Sequence, residues 1–357
     1  MTENSPLVSV VILNWNTRAL LEKFLPVVLE NSKHPDVEIV VADNGSSDDS
    51  VKWLRENHPE VRIIALAENY GFAGGYNKAL AEINSEFSVL LNSDVAPAKG
   101  WIEPLLKTMQ ENPQIAGVSP KIKDYANPSK FEYAGAAGGF IDRLGYSFCR
   151  GRIFNILEED KGQYDTGGKI FWGSGAALML RTALYNSTGG LDNDFFAHME
   201  EIDWCWRIKN MGYDILYVPE SEIFHVGGGT LSYNDPKKNF LNFRNNLFLL
   251  VKNKHGFSGW ITIIIRLLFD YVAVFKFIAS GEINVAKSVL SAHCDFFKKL
   301  NLFREKRKLL KSTIVKIHHP EIYRRSIVFD FFIKRKKFFT QLTFGGRKGE
   351  KETGRSL

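Results

Sequence analysis

Polar and acidic residues gather at four places in the first hundred residues, each directly after a short apolar run. Asn14-Trp15-Asn16 follows residues 7–13, and Asp43-Asn44-Gly45-Ser46-Ser47-Asp48 follows residues 37–42. A stretch from Glu68 to Asn77, containing Gly71, Gly74 and Gly75, follows residues 61–66, and Asn92-Ser93-Asp94 follows residues 87–91. Asn, Asp and Gly close turns in any protein, so one such cluster reads equally well as a turn; four in succession point to a ligand. Asp94 carries the clearest chemistry. A carboxylate at the end of a buried strand suits Mg²⁺ or Mn²⁺, hard cations that need few protein oxygens when phosphates supply the rest. Such a metal neutralises a leaving diphosphate. Taken alone, the Asn-Ser-Asp tripeptide is only a turn. The glycines lack the G-x-G-x-x-G spacing and follow the third apolar run rather than the first, which argues against a nicotinamide cofactor, and no G-x-x-x-x-G-K-[ST] loop is present.

The second half offers Glu200-Glu201-Ile202-Asp203 with Arg207 one turn on. Glu200, Asp203 and Arg207 share helical spacing, whereas Glu201 begins the same turn on another face. Acidic residues at a helix start complement the dipole, and Asp203 with Arg207 makes an ordinary i,i+4 pair. The functional reading is that one of these carboxylates is a general base for an acceptor hydroxyl. His225 stands before a glycine run in a stretch that reads as an exposed loop, where it is a structural histidine or a metal ligand.

These groups need a frame. Apolar runs at 7–13, 37–42, 61–66 and 87–91 alternate with helical periodicities, including Leu20–Leu21–Phe24–Leu25–Val28 and residues 73–83, with Ser46 or Ser47 as the expected cap of the helix through Trp53. Strict alternation predicts right-handed crossovers and a mainly parallel sheet flanked by helices, in which ligands sit beyond the carboxyl ends of the strands. Further on, 101–111, 198–211 and 236–254 read as helices and 115–118, 176–180 and 213–218 as strands, while 124–168 reads as loops and short strands.

Composition changes near residue 255. Residues 1–251 hold 23 Lys/Arg against 32 Asp/Glu, and residues 252–357 hold 23 against 8, so the second part suits a polyanionic partner. Residues 260–279 are strongly apolar but contain Arg266, Asp270 and Lys276. A charge at bilayer centre costs about 2.5–3.5 kcal/mol, so an amphipathic helix lying in the membrane plane is expected, or else a helical subdomain packed on the core or on a second copy. The expected division is therefore 1–255 as catalytic domain, 256–344 as a helical, basic, membrane-associating extension, and 345–357 as a disordered tail. Three scattered cysteines, Cys149, Cys205 and Cys294, form no disulfide framework, and the polar start carries no secretory signal. A cytoplasmic protein, peripheral at the inner face of the cell membrane, is expected.

Taken together these residues resemble family 2 of the inverting glycosyltransferases, with the Rossmann-like GT-A fold, and especially its rhamnosyltransferase-like branch. The resemblance spans roughly residues 7–230. Residues 8–16 (VSVVILNWN) look like the family's opening strand, Asp43-Asn44-Gly45-Ser46 like its nucleotide-base loop, and Asn69 through Asn77 like its third-strand motif. Leu91-Asn92-Ser93-Asp94 stands at the DxD metal motif, Trp172-Gly173-Ser174-Gly175-Ala176 at the segment lining the donor sugar, and Glu200-Glu201-Ile202-Asp203 at the base motif. The resemblance implies a divalent metal (Mg²⁺ or Mn²⁺) on Asp94 and His225, and donor contacts from Asn14, Asn16, Asp43, Gly71, Asn77, Asn92, Asp94 and Gly175. It implies Glu201 as base, with Glu200 as its rival and Asp203 in support. Asn92 replaces the first Asp of DxD, leaving Asp94 as the main carboxylate ligand, and the base is Glu where Asp is more usual. The implied partners are a nucleoside-diphosphate-sugar donor, a lipid-linked or polysaccharide acceptor in cell-surface glycan synthesis, and an anionic membrane, with no nucleic acid. The competing readings are a nucleotide-sugar-binding relative without catalysis, a basic-tailed nucleic-acid-binding protein, and a nucleotidyltransferase, which would carry a basic glycine-rich loop after the first strand where residues 14–20 have none.

Overall fold

The computed structural model describes residues 6–227 and 235–344; the expected tail at 345–357 and Gly228 and Gly229 lie outside them. The chain opens as β1 (Val8–Asn14), α1 (Arg18–Asn31), β2 (Val37–Asp43), α2 (Ser50–Asn57), β3 (Arg62–Ala65), α3 (Gly71–Ala81) and β4 (Phe87–Asn92). β1 is buried along almost its whole length, which is why its Val/Ile run lacks polar alternation. It pairs in parallel with β2 on one side and β4 on the other, and β2 with β3. Leu21, Phe24, Leu25 and Val28 of α1 are buried, each Leu or Val contributing about 1.5–3 kcal/mol of hydrophobic stabilisation. Neither Ser46 nor Ser47 caps α2. Asp48 Oδ1 accepts from the Ser50 amide at 3.1 Å, because both serines are drawn toward β1 instead, as described below.

The middle of the chain runs β5 (Val95–Pro97), α4 (Ile102–Glu111), β6 (Ile115–Asp124), β7 (Gly139–Asp142), β8 (Ser147–Cys149), β9 (Arg152–Ile153), β10 (Ile156–Leu157), β11 (Gly168–Ile170), β12 (Ala177–Arg181), α5 (Thr182–Ser187), α6 (Glu200–Asn210) and β13 (Asp214–His225). The main sheet has the order β11-β13-β6-β12-β4-β1-β2-β3, with β5 paired to β13. Its longest ladders are parallel, while β12 enters antiparallel between β4 and β6. β13 runs past the expected end at residue 218. A register shift between Val218 and Glu222 absorbs the polar Pro219–Glu220–Ser221 interruption, and Ser221 donates its hydroxyl to Trp101 O at 2.6 Å. His225 is therefore the buried end of a strand and not an exposed loop residue.

The last part comprises α7 (Pro236–Asn253), α8 (Phe257–Ala279), α9 (Ile283–Leu310), β14 (Ile322–Tyr323) and α10 (Ile327–Phe332). Asp235 caps α7 by accepting from the Lys237 and Lys238 amides. β14 pairs in parallel with β7, completing a second sheet ordered β10-β9-β8-β7-β14. The largest core cluster joins residues of the main sheet to Ile263, Phe296, Phe303, Tyr323, Ile327 and Phe331. Phe248 and Phe303 stack at 3.8 Å between ring centroids, 6° from parallel. Of the alternatives weighed for the basic extension, packing on the core is realised on one of its faces. Among the described residues no helix is long and apolar enough to cross a membrane.

Candidate active site

The parallel register brings the ends of β1, β2 and β4 level: Asn14 faces Asp43, and Leu13 faces Asn92. Asn14 is fully buried and donates from Nδ2 to Asp43 Oδ1 at 2.7 Å, while its Oδ1 accepts from the Thr17 hydroxyl at 2.6 Å. Thr17 reaches on to the Ser93 hydroxyl at 3.2 Å. Asp43 Oδ2 takes the Ser46 amide at 3.0 Å. Asn16, in left-handed backbone at φ 54°, accepts the Ser47 amide at 2.7 Å and donates its own amide to the Ser46 hydroxyl at 2.9 Å. One hydrogen-bonded network thus ties three strand ends together. Gly71 begins α3 at φ +73°, and a Cβ there would stand 3.0 Å from the Phe196 ring. A Cβ on Gly175 would meet Phe72 at the same distance. Both glycines permit a close approach of chain segments at the rim.

Asp94 lies just beyond β4, and the antiparallel pairing of β5 with β13 sets His225 opposite Val95. His225 Nε2 is 3.1 Å from Asp94 Oδ1 and 3.4 Å from Asn92 Nδ2. Its Nδ1 lies 3.5 Å from Glu132 Oε2. Burial works against a charge on His225, but Asp94 and Glu132 outweigh it and raise its pKa to about 10. The pair also fits a divalent metal. Adjacent ligands of an octahedral ion with bonds of ~2.1 Å stand about 3.0 Å apart, close to the observed Oδ1–Nε2 separation. Among the described residues no three His, Cys, Asp or Glu side chains converge as a metal cage, so Asp94 and His225 suit a cation whose other ligands come from a substrate.

The helix α6 begins after an unusual turn. Phe196, His198 and Met199 all adopt positive φ, 66°, 68° and 75°, at roughly 1–3 kcal/mol each for side-chain-bearing residues. Asn245 of α7, fully buried, holds that turn by donating Nδ2 to the carbonyls of Phe195, Ala197 and His198 at 2.8–2.9 Å. The turn delivers Glu200 and Glu201, and the Oε2 of each is buried without a hydrogen-bond partner. Burial is the main cause of the rise in both pKa values, Glu201 to about 7 and Glu200, with Glu201 beside it, well above the usual carboxylate range. Burial raises the pKa of the Cys149 thiol, and Glu132 and Glu201 each push it the same way.

Two expected site residues are used elsewhere. Asp203 is fully buried among Arg207 Nε at 2.9 Å, Lys252 Nζ at 2.8 Å and Asn253 Nδ2 at 2.7 Å. Asn77 accepts from the Tyr185 hydroxyl and the Leu191 amide and donates to Leu191 O and Asn193 Oδ1. Every position on its amide is engaged in anchoring the segment that leads to α6. Conversely, Glu132 and Asn245 carried no signal in the sequence: one follows a strand in a loop-rich region, the other sits among ordinary helix residues.

A family model described as Glycosyl transferase family 2 matches residues 9–186. The N-acetylglucosaminyl-diphospho-decaprenol L-rhamnosyltransferase of Mycobacterium tuberculosis is 24% identical over 278 residues, covering 73% of this chain and 87% of its own. The low-salt glycan biosynthesis hexosyltransferase Agl10 of Haloferax volcanii is 26% identical over 183 residues, 50% of this chain and 55% of its own. Two solved structures share the fold. The mannosyltransferase PcManGT from Pyrobaculum calidifontis, in complex with GDP-Man and Mn²⁺, superposes with a TM-score of 0.51 at 16% identity, covering 88% of this chain and 87% of that one. TarS residues 1–349 of S. aureus, in complex with UDP-GlcNAc, gives 0.53 at 14% identity, with 86% of each chain covered.

Proposed function

Because this chain belongs to glycosyl transferase family 2 and has the GT-A fold, we propose that it is an inverting glycosyltransferase. It moves a sugar from a nucleoside-diphosphate donor to a hydroxyl of a lipid-linked or polysaccharide acceptor in cell-surface glycan synthesis, at an anionic membrane surface. The observation that carries the reading is the Asp94–His225 pair, 3.1 Å apart at the strand ends; at the start of α6, Glu201 offers a carboxylate oxygen buried without a partner. Asp94 and His225 would hold a divalent metal, which would supply Lewis acidity to the departing diphosphate. Asp43, held by Asn14 and Ser46, faces the donor base. Asn16, Asn92, Gly71 and Gly175 shape the donor cleft, and Asn77 acts on it through the 191–193 segment. Glu201 takes the proton of the acceptor hydroxyl as that oxygen attacks the anomeric carbon from the face opposite the diphosphate. The bond to the diphosphate oxygen breaks, and the electron pair leaves with the nucleoside diphosphate. Fixed placement of both substrates supplies much of the rate. The name of the mycobacterial relative favours a rhamnosyl donor and a polyprenyl-diphosphate-linked acceptor.

The test is release of nucleoside diphosphate from UDP-, dTDP- and GDP-sugars with and without Mg²⁺ or Mn²⁺, with a lipid extract as acceptor. The expected result is metal-dependent release from one donor, lost in D94A and E201Q. Donor binding without turnover in every condition would instead mark a relative that binds nucleotide sugars without catalysis, and no metal-dependent donor binding would overturn the reading.

A further inference from the structure

We propose that the outward face of α8, with the exposed end of α10, is a membrane-docking surface that lies in the headgroup layer of an anionic bilayer. The proposal deepens the membrane partnership put forward above, and its evidence is independent of the reaction.

The polarity of α8 is inverted. Its buried side holds Thr262, Arg266 and Asp270 beside Gly259, Ile263 and Val274. Those polar groups find partners inside the protein. The Arg266 guanidinium lies 3.6 Å over the Tyr146 ring and 3.7 Å from Asp270, whose other oxygen is 3.2 Å from His293 Nε2. The opposite side carries Phe257, Ile261, Ile264, Leu268, Tyr271, Val272, Phe275 and Ile278, all exposed, with Phe257 at 80%, Phe275 at 71% and Val272 at 67%. At about 100° per residue these eight positions fall within roughly 60° of a single line along the helix. A soluble surface helix buries its apolar stripe and exposes its polar one. Here two of the three charges that break up the apolar stretch are turned inward and paired, and hydrophobic side chains are left to the outside over more than five turns. Contiguous exposed apolar faces of this kind mark interaction sites.

The rim of the face selects the occupant. Lys276 lies 5.7 Å from the ring of Phe332, so the α8 face continues onto α10, where Phe329, Phe332 and Ile333 are exposed. Exposed Lys334 and Arg335 follow directly, and exposed Arg324 and Arg325 precede them. The acidic residue of α10, Asp330, is buried and bonded to the Tyr323 hydroxyl. Basic side chains bordering an apolar helix face match anionic headgroups above acyl chains. A two-fold dimer through the same face would bring these like charges together. No described helix is long and apolar enough to cross a membrane, so the face lies along the surface.

The test is co-sedimentation of the full chain with phosphatidylcholine vesicles, with and without phosphatidylglycerol, alongside light scattering for oligomeric state. Binding to the phosphatidylglycerol vesicles is expected, weakened by high salt. The exposed-face variant L268S/V272S/F275S should bind at least tenfold more weakly, while K276E/R335E should lose the preference for anionic lipid. Unchanged circular dichroism and unchanged donor hydrolysis would show that fold and donor site are intact in each variant. Vesicle binding that the serine variant leaves unaltered would overturn the proposal. So would a dimer of the wild-type chain, broken by that variant, without lipid binding; this would make the face a self-association surface. Loss of donor hydrolysis in D94A with vesicle binding retained would separate failure of the catalytic reading from failure of this one.

Discussion

At the scale of single residues, the site places two carboxylates where water is scarce. Burial disfavours the charged form of each, so the pKa of Glu201 rises to about 7 and that of Glu200 well above the usual carboxylate range. A base must be ionised to accept a proton, so kcat/KM is expected to fall about tenfold per pH unit below roughly pH 7 and to level off above it. In E201Q turnover should drop by at least about 100-fold and the acidic limb should vanish, whereas E200Q should keep the limb. The opposite pattern in a pH–rate comparison would make Glu200 the base. The stability effect has the opposite sign. A carboxyl whose folded pKa is raised above its unfolded value stabilises the protein while protonated, and that contribution is lost as pH rises from about 4.5 through 7. E201Q is therefore expected to melt a few degrees higher than wild type at pH 8 and about the same at pH 4, by calorimetry. Gain in stability with loss of turnover is the signature of a group strained for function.

Among the elements, the turn before α6 is the most consequential. Three left-handed residues persist there because Asn245 reaches across from α7 to three carbonyls. Asn245→Ala leaves the Ala197 and His198 carbonyls without this donor, while Phe195 O keeps Arg244, and should cost about 1–3 kcal/mol in denaturant unfolding. Turnover should fall as well, since the turn sets the position of Glu200 and Glu201. An Asn245→Ala chain with wild-type stability and wild-type turnover would show that the turn is held by other contacts. The helices and strands themselves were largely legible: the first four strands and the helices after them stand within two residues or so of where periodicity puts them. β13 was not, because Pro219–Glu220–Ser221–Glu222 breaks the apolar pattern that marks a strand, and only its pairing with β6 and β5 restores it.

On the scale of the whole molecule, the change of composition near residue 255 is not a change of core. Lys306 of α9 holds Asp192 at 2.5 Å and also Asp194, Arg307 donates to Val251 O and Lys254 O at 2.7 Å, and the Ile327 amide donates to Asp142 at 2.9 Å. Lys252 and Lys306 together hold the Asp192 carboxyl well below the usual range against the opposing effect of burial. A chain ending at residue 255 strips Lys306 from Asp192 and the Ile327 amide from Asp142, and uncovers Phe248. It is expected to be insoluble or to bind a hydrophobic dye, while a chain ending at residue 344 keeps a single cooperative unfolding transition. A folded, monomeric 1–255 fragment in size-exclusion chromatography would show that the core is divisible after all.

The sequence alone was sufficient for the alternation of strand and helix, the polar clusters at the strand ends, the order of motifs that marks the family, and the basic, apolar character of the last hundred residues. These are written in local periodicity and turn chemistry, which act over a few residues. It also placed Asp203 with Arg207, an i,i+4 pair that any helix brings together. Only the tertiary structure decided that Asp94, His225 and Glu132 meet, that Asn77 is saturated by the 191–193 segment, and that Asn245 shapes the approach to Glu201. Those contacts join segments far apart in the chain through strand pairing and helix packing, and no local pattern encodes a distant partner. The same holds for α8. Its hydrophobicity was visible in the sequence, but the side that faces the protein is the one where Tyr146 meets Arg266 and His293 meets Asp270, and that choice is what leaves the apolar side turned outward.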